Sequence, residues 1–364
     1  MRIEELDTPA VVVDLDILEA NLRSLSDYCR KHGIGLRPHT KTHKIPAIAK
    51  MQIASGCHGI TVAKVGEAEV MASAGLEDIL IGYPVLGVAK LERLVKLARD
   101  HKITVSLDSL SAAQGISEAV SRAGCRVNVL VEFDVGMRRC GVQSAEEWLK
   151  LALTVERLPG THFAGLMFYP GHIWEPLAEQ KPALDRLSET IEALQSELAK
   201  HGLACEVVSG GSTPTAYNSH LVRGLTEIRS GTYVFYDMNE TTAGYCRISD
   251  CALRVLVTVV SNAVEGRAII DGGSKTFSGD RLISGDKQGF GYVTEHPEVR
   301  FVSMSEEHGH LDLAQSNDQL RVGDKLTVIP NHVCTCVNMH DQIHYHRNGV
   351  VEGAWSVAGR GKIR

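Results

Sequence analysis

The densest collection of reactive side chains is Arg37-Pro38-His39-Thr40-Lys41-Thr42-His43-Lys44. Read as extended chain, it puts Arg37, His39 and Lys41 on one face and gives Lys44 the other parity. Cationic neighbours disfavour an ammonium ion and make an amine more nucleophilic, which is what a Schiff-base lysine needs. A basic, exposed strand-to-helix loop would carry the same residues. A second segment, Ser209-Gly210-Gly211-Ser212-Thr213-Pro214-Thr215, follows the apolar run EVV and reads as the opening of a helix. Glycines let the backbone approach a ligand, and free amides at a helix N-terminus bind phosphate. Ser212 and Thr213 add hydroxyl donors, and Gly231-Thr232-Tyr233 would complete the cup. A plain Gly-rich turn is the alternative. In His332-Val333-Cys334-Thr335-Cys336, strand alternation points residues 332, 334 and 336 the same way. Imidazole and thiolate suit Zn²⁺ among other borderline metals, and two protein ligands leave open positions for water or substrate. A core histidine beside two buried thiols would look alike. Arg139, in EFDVGMRRCGV, can hold a phenolate or carboxylate, and Tyr169, in GLMFYPGH, can hydrogen-bond or stack with an aromatic cofactor. His308 and His310, in SEEHGHL, are equally open between a chemical and a structural role.

These residues fall at the ends of apolar runs. The runs are AVVVDL (10–15), IGLRPH (34–39), GITVAK (59–64), DILIGYP (78–84), ITVSLDS (103–109), VNVLVEFD (127–134), FAGLMFY (163–169) and EVVSGG (206–211). Between them lie amphipathic stretches such as ILEANLRSLSDYCRKHG and KLERLVKLARDHK. Eight runs with helices between them predict an α/β fold, a TIM-like (β/α)8 barrel, whose chemistry belongs at the C-terminal ends of the strands. An open doubly wound sheet competes, but no GxGxxG follows the first strand. Beyond about residue 250, RVLVTVVS, GRAIIDGG, DKLTVIP and HVCTCVNM read as strands separated by Gly, Asp, Asn and Pro turns. The division expected is a barrel over 8–245 and a β-rich C-terminal domain over 246–364, with residues 1–7 adding a strand to the latter.

The 364 residues are 44% hydrophobic and 23% charged, with net charge −6, so neither nucleic acid nor an anionic membrane is the expected partner. No apolar run approaches the ~18–20 residues of a membrane span, and MRIEELDTPAVVVDL has acids where a signal peptide has cations. A cytoplasmic protein is expected. The nine cysteines show no paired framework, as suits a reducing compartment.

DTPAVVVDLDILEANL, RPHTKTHK, KVGEAEV, MRRCGV, SGGSTPT, GTYVFYD, SEEHGH and PNHVCTCVN, in this order from about residue 7 to about residue 341, resemble the D-serine dehydratase and D-threonine aldolase family. That family belongs to the alanine-racemase-like, fold-type III group of pyridoxal phosphate enzymes. The resemblance implies a homodimer with a barrel and a β-domain. It implies that Lys41 carries pyridoxal 5'-phosphate, with His39 beside it, Arg139 near the cofactor's 3-oxygen and Tyr169 as the active-site tyrosine. Gly210, Gly211, Ser212 and Thr213, with Gly231, Thr232 and Tyr233, match the phosphate cup. His332 and Cys334 match the ligands of a divalent metal, zinc before manganese or magnesium.

The expected activity is therefore that of a lyase on small D-3-hydroxy amino acids. Dehydratase-like members carry His-x-Cys and aldolase members tend to His-x-Asp, so the sequence leans to dehydration giving a 2-oxo acid and ammonia. Retro-aldol cleavage to glycine and an aldehyde is the alternative, with His172, His308 or His310 as the second base. The loop PGHIW after Tyr169 matches neither branch, and Thr61-Val62-Ala63 lacks the polar residue expected near the cofactor. An amino-acid racemase would not need the His-x-Cys pair. A pyridoxal phosphate carrier would not need about 115 further β-rich residues. A barrel hydrolase with metal alone would make Lys41 and the phosphate segment coincidental.

Overall fold

β-Branched residues fill the short apolar runs, and in the computed structural model, which describes residues 1–283, 289–316 and 320–364, those runs become strands. The chain divides into two units. One comprises Met1–Arg23, Thr42–Ile45 and Thr232–Arg360, and the other Ser24–Lys41, Pro46–Gly231 and Gly361–Arg364.

In chain order, β1 (Ala10–Asp14) belongs to the first unit. The second unit holds β2 (Gly35–Leu36), β3 (Ile60–Val62), β4 (Asp78–Ile81), β5 (Lys102–Leu107), β6 (Val127–Glu132), β7 (Thr161–Met167), β8 (Val207–Gly210) and β9 (Glu227–Ile228). These are parallel in the order β2-β9-β8-β7-β6-β5-β4-β3. A parallel bridge from His39 to Thr61 joins the two ends, so the predicted (β/α)8 barrel is present and closed. Side chains alternate between its faces. Ile79 and Ile81 of β4 join the large cluster that includes helix residues Leu94, Ile116 and Trp148, whereas Leu80 joins Leu130, Ala164 and Met167 on the opposite face. Ser109 and Ser144 cap the helices Leu110–Arg122 and Ala145–Arg157, accepting from the amides of Ala112 and Glu147.

The first unit holds β10 (Leu253–Ser261), β11 (Arg267–Ile270), β12 (Gly291–Val293), β13 (Arg300–Met304), β14 (Gly309–Asp312), β15 (Lys325–Pro330), β16 (Gln342–Arg347) and β17 (Val350–Ser356). With β1 they form the sheet β11-β14-β13-β12-β15-β10-β1-β16-β17, and β11 also pairs with β10, closing six of the strands into a small barrel. No helix among the described residues is long and apolar enough to cross a membrane.

Three sequence expectations need correction. AVVVDL is not a strand of the parallel barrel: Ala10–Val13 run antiparallel to β10, and Val12–Asp14 run parallel to β16. Val11, Val12 and Val13 are all buried, and a run buried on both faces has no alternation to say which sheet it joins. The eighth barrel strand is Glu227–Ile228, two residues long and half polar, so it leaves no apolar run to read. HVCTCVNM is helical over Val333–Met339 rather than extended. Among the remaining strands, RVLVTVVS, GRAIIDGG and DKLTVIP form β10, β11 and β15 as expected.

Candidate active site

In the second unit four adjacent strands, β2, β9, β8 and β7, are tied by one buried polar chain. Arg37 donates to Glu227 at 2.9 Å and to Asp78 at 2.6 Å. Ser209 Oγ donates to the other oxygen of Glu227 at 2.6 Å. Arg229 donates to Ser209 Oγ and to the carbonyl of Phe168, both at 2.7 Å. Burial alone would raise the Glu227 carboxyl, but hydrogen bonds from His58 and Ser209 and the Arg37 charge outweigh it and hold it down at about 2. Arg37 is thus neutralised by two carboxylates, and it anchors the barrel rather than lending its charge to Lys41. Its place on one strand face with His39 and Lys41 does not survive either. The strand stops at Leu36, and Thr40–Thr42 form a 3-10 turn.

The turn carries half-buried Lys41 toward Tyr169, with Nζ 6.0 Å from the ring centroid, and exposed Arg139 lies over the same ring at 4.6 Å. Lys41, Tyr169 and Arg139 therefore converge although 128 residues of chain separate the first from the second. His39, whose Nδ1 faces the amide of Lys41 at 3.4 Å, is held well below the usual imidazole range. Removal from water is the main cause, followed by repulsion from Lys41, Arg229 and Arg139, so His39 stands neutral beside Lys41. Arg229 and Glu132 were not singled out in the sequence. Glu132 is buried and its carboxyl is pushed up by burial, against the pull of Arg229 and Arg139. Thr61 turns its hydroxyl to the carbonyl of Arg37 at 3.0 Å.

The glycine segment leads from β8 into a turn, and the expected helix is only the 3-10 stretch Ala216–Leu221. Gly211 has φ +76°, a conformation that favours glycine, and a Cβ on Gly210 would overlap the Phe168 ring. Ser212 and Thr215 close the turn on each other, and Ser230, next to Gly231, donates to the Ser212 carbonyl at 3.0 Å. Among the described residues the backbone amides of Gly211 and Thr213 find no acceptor, although both residues are buried. Unused amides in a glycine turn fit an anionic oxygen, so the segment suits a phosphate group.

The first unit holds the remaining expected site residues. His332 precedes the helix Val333–Met339, whose first amide, Val333, donates to Asp237 Oδ2 at 2.9 Å. The same oxygen accepts from His332 Nδ1 at 3.0 Å. That capture of the Val333 amide turns the chain into a helix, so residues 332, 334 and 336 do not share a face. Cys336 is buried with its thiol on the Thr276 carbonyl, whereas Cys334 remains within hydrogen-bond reach of His332 and donates to Thr42 Oγ1 at 3.3 Å. Burial opposes charge on His332, but Cys334 and Asp237 together raise it to about 12. An imidazole fixed through Nδ1 by a carboxylate, with a thiol beside it, is a nitrogen–sulfur donor set of the kind zinc takes. Among the described residues no three His, Cys, Asp or Glu side chains gather as metal ligands. A metal here would rest on this pair and keep positions open. Lys44 is turned away to Asn338, 2.8 Å from Nζ. Thr232 donates to Glu240 at 2.5 Å, and Tyr233 is buried in the 3-10 turn Thr232–Val234. His308 and His310 flank and enter β14, while His172 belongs to the barrel unit, where its ring packs on Gly136. Asp237 had a readable sequence sign: Asp237-x-x-Glu240 is the spacing of a helix-capping pair, and Asp237 caps Met238–Thr242.

Two family profiles match the chain, the N-terminal domain of alanine racemase over residues 13–239 and a serine dehydratase domain over 252–346. A D-threonine aldolase of an Arthrobacter species is 36% identical over 99% of this chain and 94% of its own length. The chain belongs to the D-serine dehydratase and D-threonine aldolase family of fold-type III pyridoxal phosphate enzymes. The solved D-threonine aldolase from Filomicrobium marinum superposes on it with a TM-score of 0.92 at 33% identity, covering 99% of this chain and 98% of the other. The D-threo-3-hydroxyaspartate dehydratase of Delftia superposes with a TM-score of 0.89 at 31% identity and 98% coverage of both, and a cysteine-to-alanine variant of that enzyme is known in a metal-free form. Family membership accounts for both units, since one profile falls largely on the parallel barrel and the other on the antiparallel sheet.

Proposed function

We propose that this chain is a pyridoxal phosphate- and divalent-metal-dependent lyase that dehydrates small D-3-hydroxy amino acids to a 2-oxo acid and ammonia. The observation that carries the choice of branch is the His332–Cys334 pair, backed by the buried carboxylate of Asp237. A relative at 31% identity is a dehydratase, and its cysteine-to-alanine variant has a metal-free form, which supports a cysteine-dependent metal in this family. The residues fit both groups: Lys41 with the amides of Gly211 and Thr213 for the cofactor, and His332 with Cys334 for the metal.

Bound pyridoxal phosphate supplies the electron sink for bond cleavage at the substrate's α-carbon, and a bound metal supplies Lewis acidity at its β-oxygen. The chain supplies the rest. Lys41 Nζ is the base for the α-proton. Neutral His39 adds no charge beside it. Arg139 brings a cation to the ring of Tyr169 and to anionic oxygens near it. The amides of Gly211 and Thr213 would hold the phosphate group and so would anchor the cofactor at the end of β8.

Retro-aldol cleavage to glycine and an aldehyde is the second reading, favoured by the 36% identity to a D-threonine aldolase and the 0.92 TM-score to another. A product assay separates them. Protein loaded with pyridoxal phosphate and Zn²⁺ or Mn²⁺ is offered D-serine, D-threonine and D-threo-3-hydroxyaspartate, and 2-oxo acid and glycine are measured separately. Oxo acid with ammonia, lost on chelation and in Cys334→Ala, is the expected result. Glycine with an aldehyde overturns the dehydratase reading, and full turnover of Cys334→Ala under chelation overturns the metal.

A further inference from the structure

Two cysteines of the first unit meet on a single hydroxyl, and neither has a part in the proposed reaction. Cys246 lies in the loop after the helix Met238–Thr242, and Cys251 lies just before β10. Thr241 Oγ1 is 3.3 Å from the sulfur of Cys246 and 3.4 Å from that of Cys251. A hydroxyl has one proton, and that of Thr241 goes to the carbonyl of Asp237 at 3.0 Å. Its lone pairs therefore face both thiols, which stand side by side on one oxygen. The chain between them is folded back tightly. Arg247 donates its amide to Asp250 Oδ2 at 2.8 Å, Ile248–Asp250 form a 3-10 turn, and the amide of Cys251 donates to the Ile248 carbonyl at 3.2 Å. The Cys251 sulfur also lies 4.0 Å from the carbonyl of Arg247, the residue that follows Cys246. Cys246 is half-buried and Cys251 is fully buried.

We propose that Cys246 and Cys251 are a redox-active pair, which a small-molecule disulfide such as oxidised glutathione converts reversibly into an intramolecular disulfide. An S–S bond forms without strain only where the backbone already brings two cysteines together. Here both sulfurs touch one oxygen, and the link between them is already turned back. Cys246 is the member that solvent reaches, so it reacts first. Its thiol gives up a proton and the sulfur attacks the small disulfide, forming a mixed disulfide and releasing one thiolate, which takes up that proton. Cys251 then gives up its proton and attacks the Cys246 sulfur, breaking the mixed disulfide and releasing the second small thiol. Two protein thiols are oxidised and one small disulfide is reduced to two thiols, so electrons and protons balance. Where glutathione keeps thiols reduced, the bond is transient and is present only while the disulfide form is in excess. It ties the loop after Met238–Thr242 to the start of β10, one helical turn from Asp237.

The decisive test uses the wild-type protein loaded with pyridoxal phosphate. Trypsin cuts after Arg229, Arg247 and Arg254, so Cys246 falls in the peptide 230–247 and Cys251 in the peptide 248–254, one cysteine in each. After digestion only an S–S bond holds these two peptides together. Folded protein is incubated with oxidised glutathione, its free thiols are blocked with N-ethylmaleimide, and the digest is analysed by mass spectrometry. The linked pair is expected in most of the treated protein, absent before treatment and lost to dithiothreitol. In Cys251→Ser the first step proceeds and the second cannot, so one glutathione should remain on Cys246, where the wild type retains almost none. In Cys246→Ser the buried Cys251 should take up none. Both cysteines free after treatment of the wild type overturn the proposal, as does glutathione retained on its Cys246 or Cys246 joined to any other peptide. A linked pair that forms only as the native circular dichroism is lost overturns it too. Glutathione on Cys251 of Cys246→Ser overturns the order of attack. If Cys251→Ser does not fold, the wild-type digest still decides.

Discussion

Replacing Glu227 by Gln should destabilise the protein by an amount that depends on pH in a predictable way. Glu227 joins Arg37, His58 and Ser209 in the barrel, at 2.9, 2.7 and 2.6 Å. Its carboxyl sits at about 2, against 4.5 for the unperturbed group. Each unit of difference is about 1.4 kcal/mol, so the ionised form contributes about 3 kcal/mol at neutral pH. Because the folded value is depressed, that contribution is fully present above the unfolded value of 4.5. It fades as pH falls from there toward about 2, since the unfolded chain takes up the proton first. Glutamine keeps the shape and loses the charge. The stability deficit of Glu227→Gln should therefore be about 3 kcal/mol at pH 7 and smaller by roughly 1 kcal/mol at pH 4. Urea unfolding of both proteins at the two pH values measures it. A deficit that is the same at both would show that shape or packing, not charge, sets the cost. No deficit at pH 7 would refute the account of Arg37 as an anchor. Should Arg37 instead activate Lys41, the variant would change the pH profile of turnover per folded molecule, which the anchor account leaves unmoved.

Three further substitutions test the rest of the site. Lys41→Ala should abolish the borohydride-reducible cofactor adduct and lower turnover by about 10²–10⁴ or more, the usual yield of a lost general base, whereas Lys44→Ala, which removes the hydrogen bond to Asn338, should keep the adduct; an adduct retained in Lys41→Ala would move the Schiff base elsewhere. Gly210→Ala should destabilise by about 1–3 kcal/mol, since its Cβ would overlap the Phe168 ring, and a thermal scan showing no loss would mean that the β7–β8 contact yields freely.

The candidate site residues stood out in the sequence where a residue type is rare and its chain neighbours are fixed. Lys41 in RPHTKTHK, the glycines of SGGSTPT and the spacing of His332 and Cys334 named a lysine, a turn and a donor pair before any fold was known. The alternation of apolar runs and amphipathic helices likewise required the parallel barrel, because each element must bury one face. What the sequence could not decide were the contacts between positions far apart in the chain. Arg37 looks like a catalytic cation until Glu227, 190 residues later, and Asp78 are brought against it. HVCTCVNM has the pattern of a strand, but it folds as a helix whose first amide, Val333, is taken by Asp237, 96 residues earlier. AVVVDL fits any sheet, since burial on both faces removes the period that would assign it. Arg229 and Glu132 carry no local signal of function, because the meaning of a buried charge lies in the partner the fold supplies. Local residue types thus determined which reactions were available, and tertiary structure alone decided which charges are spent on holding the barrel and which are left to act.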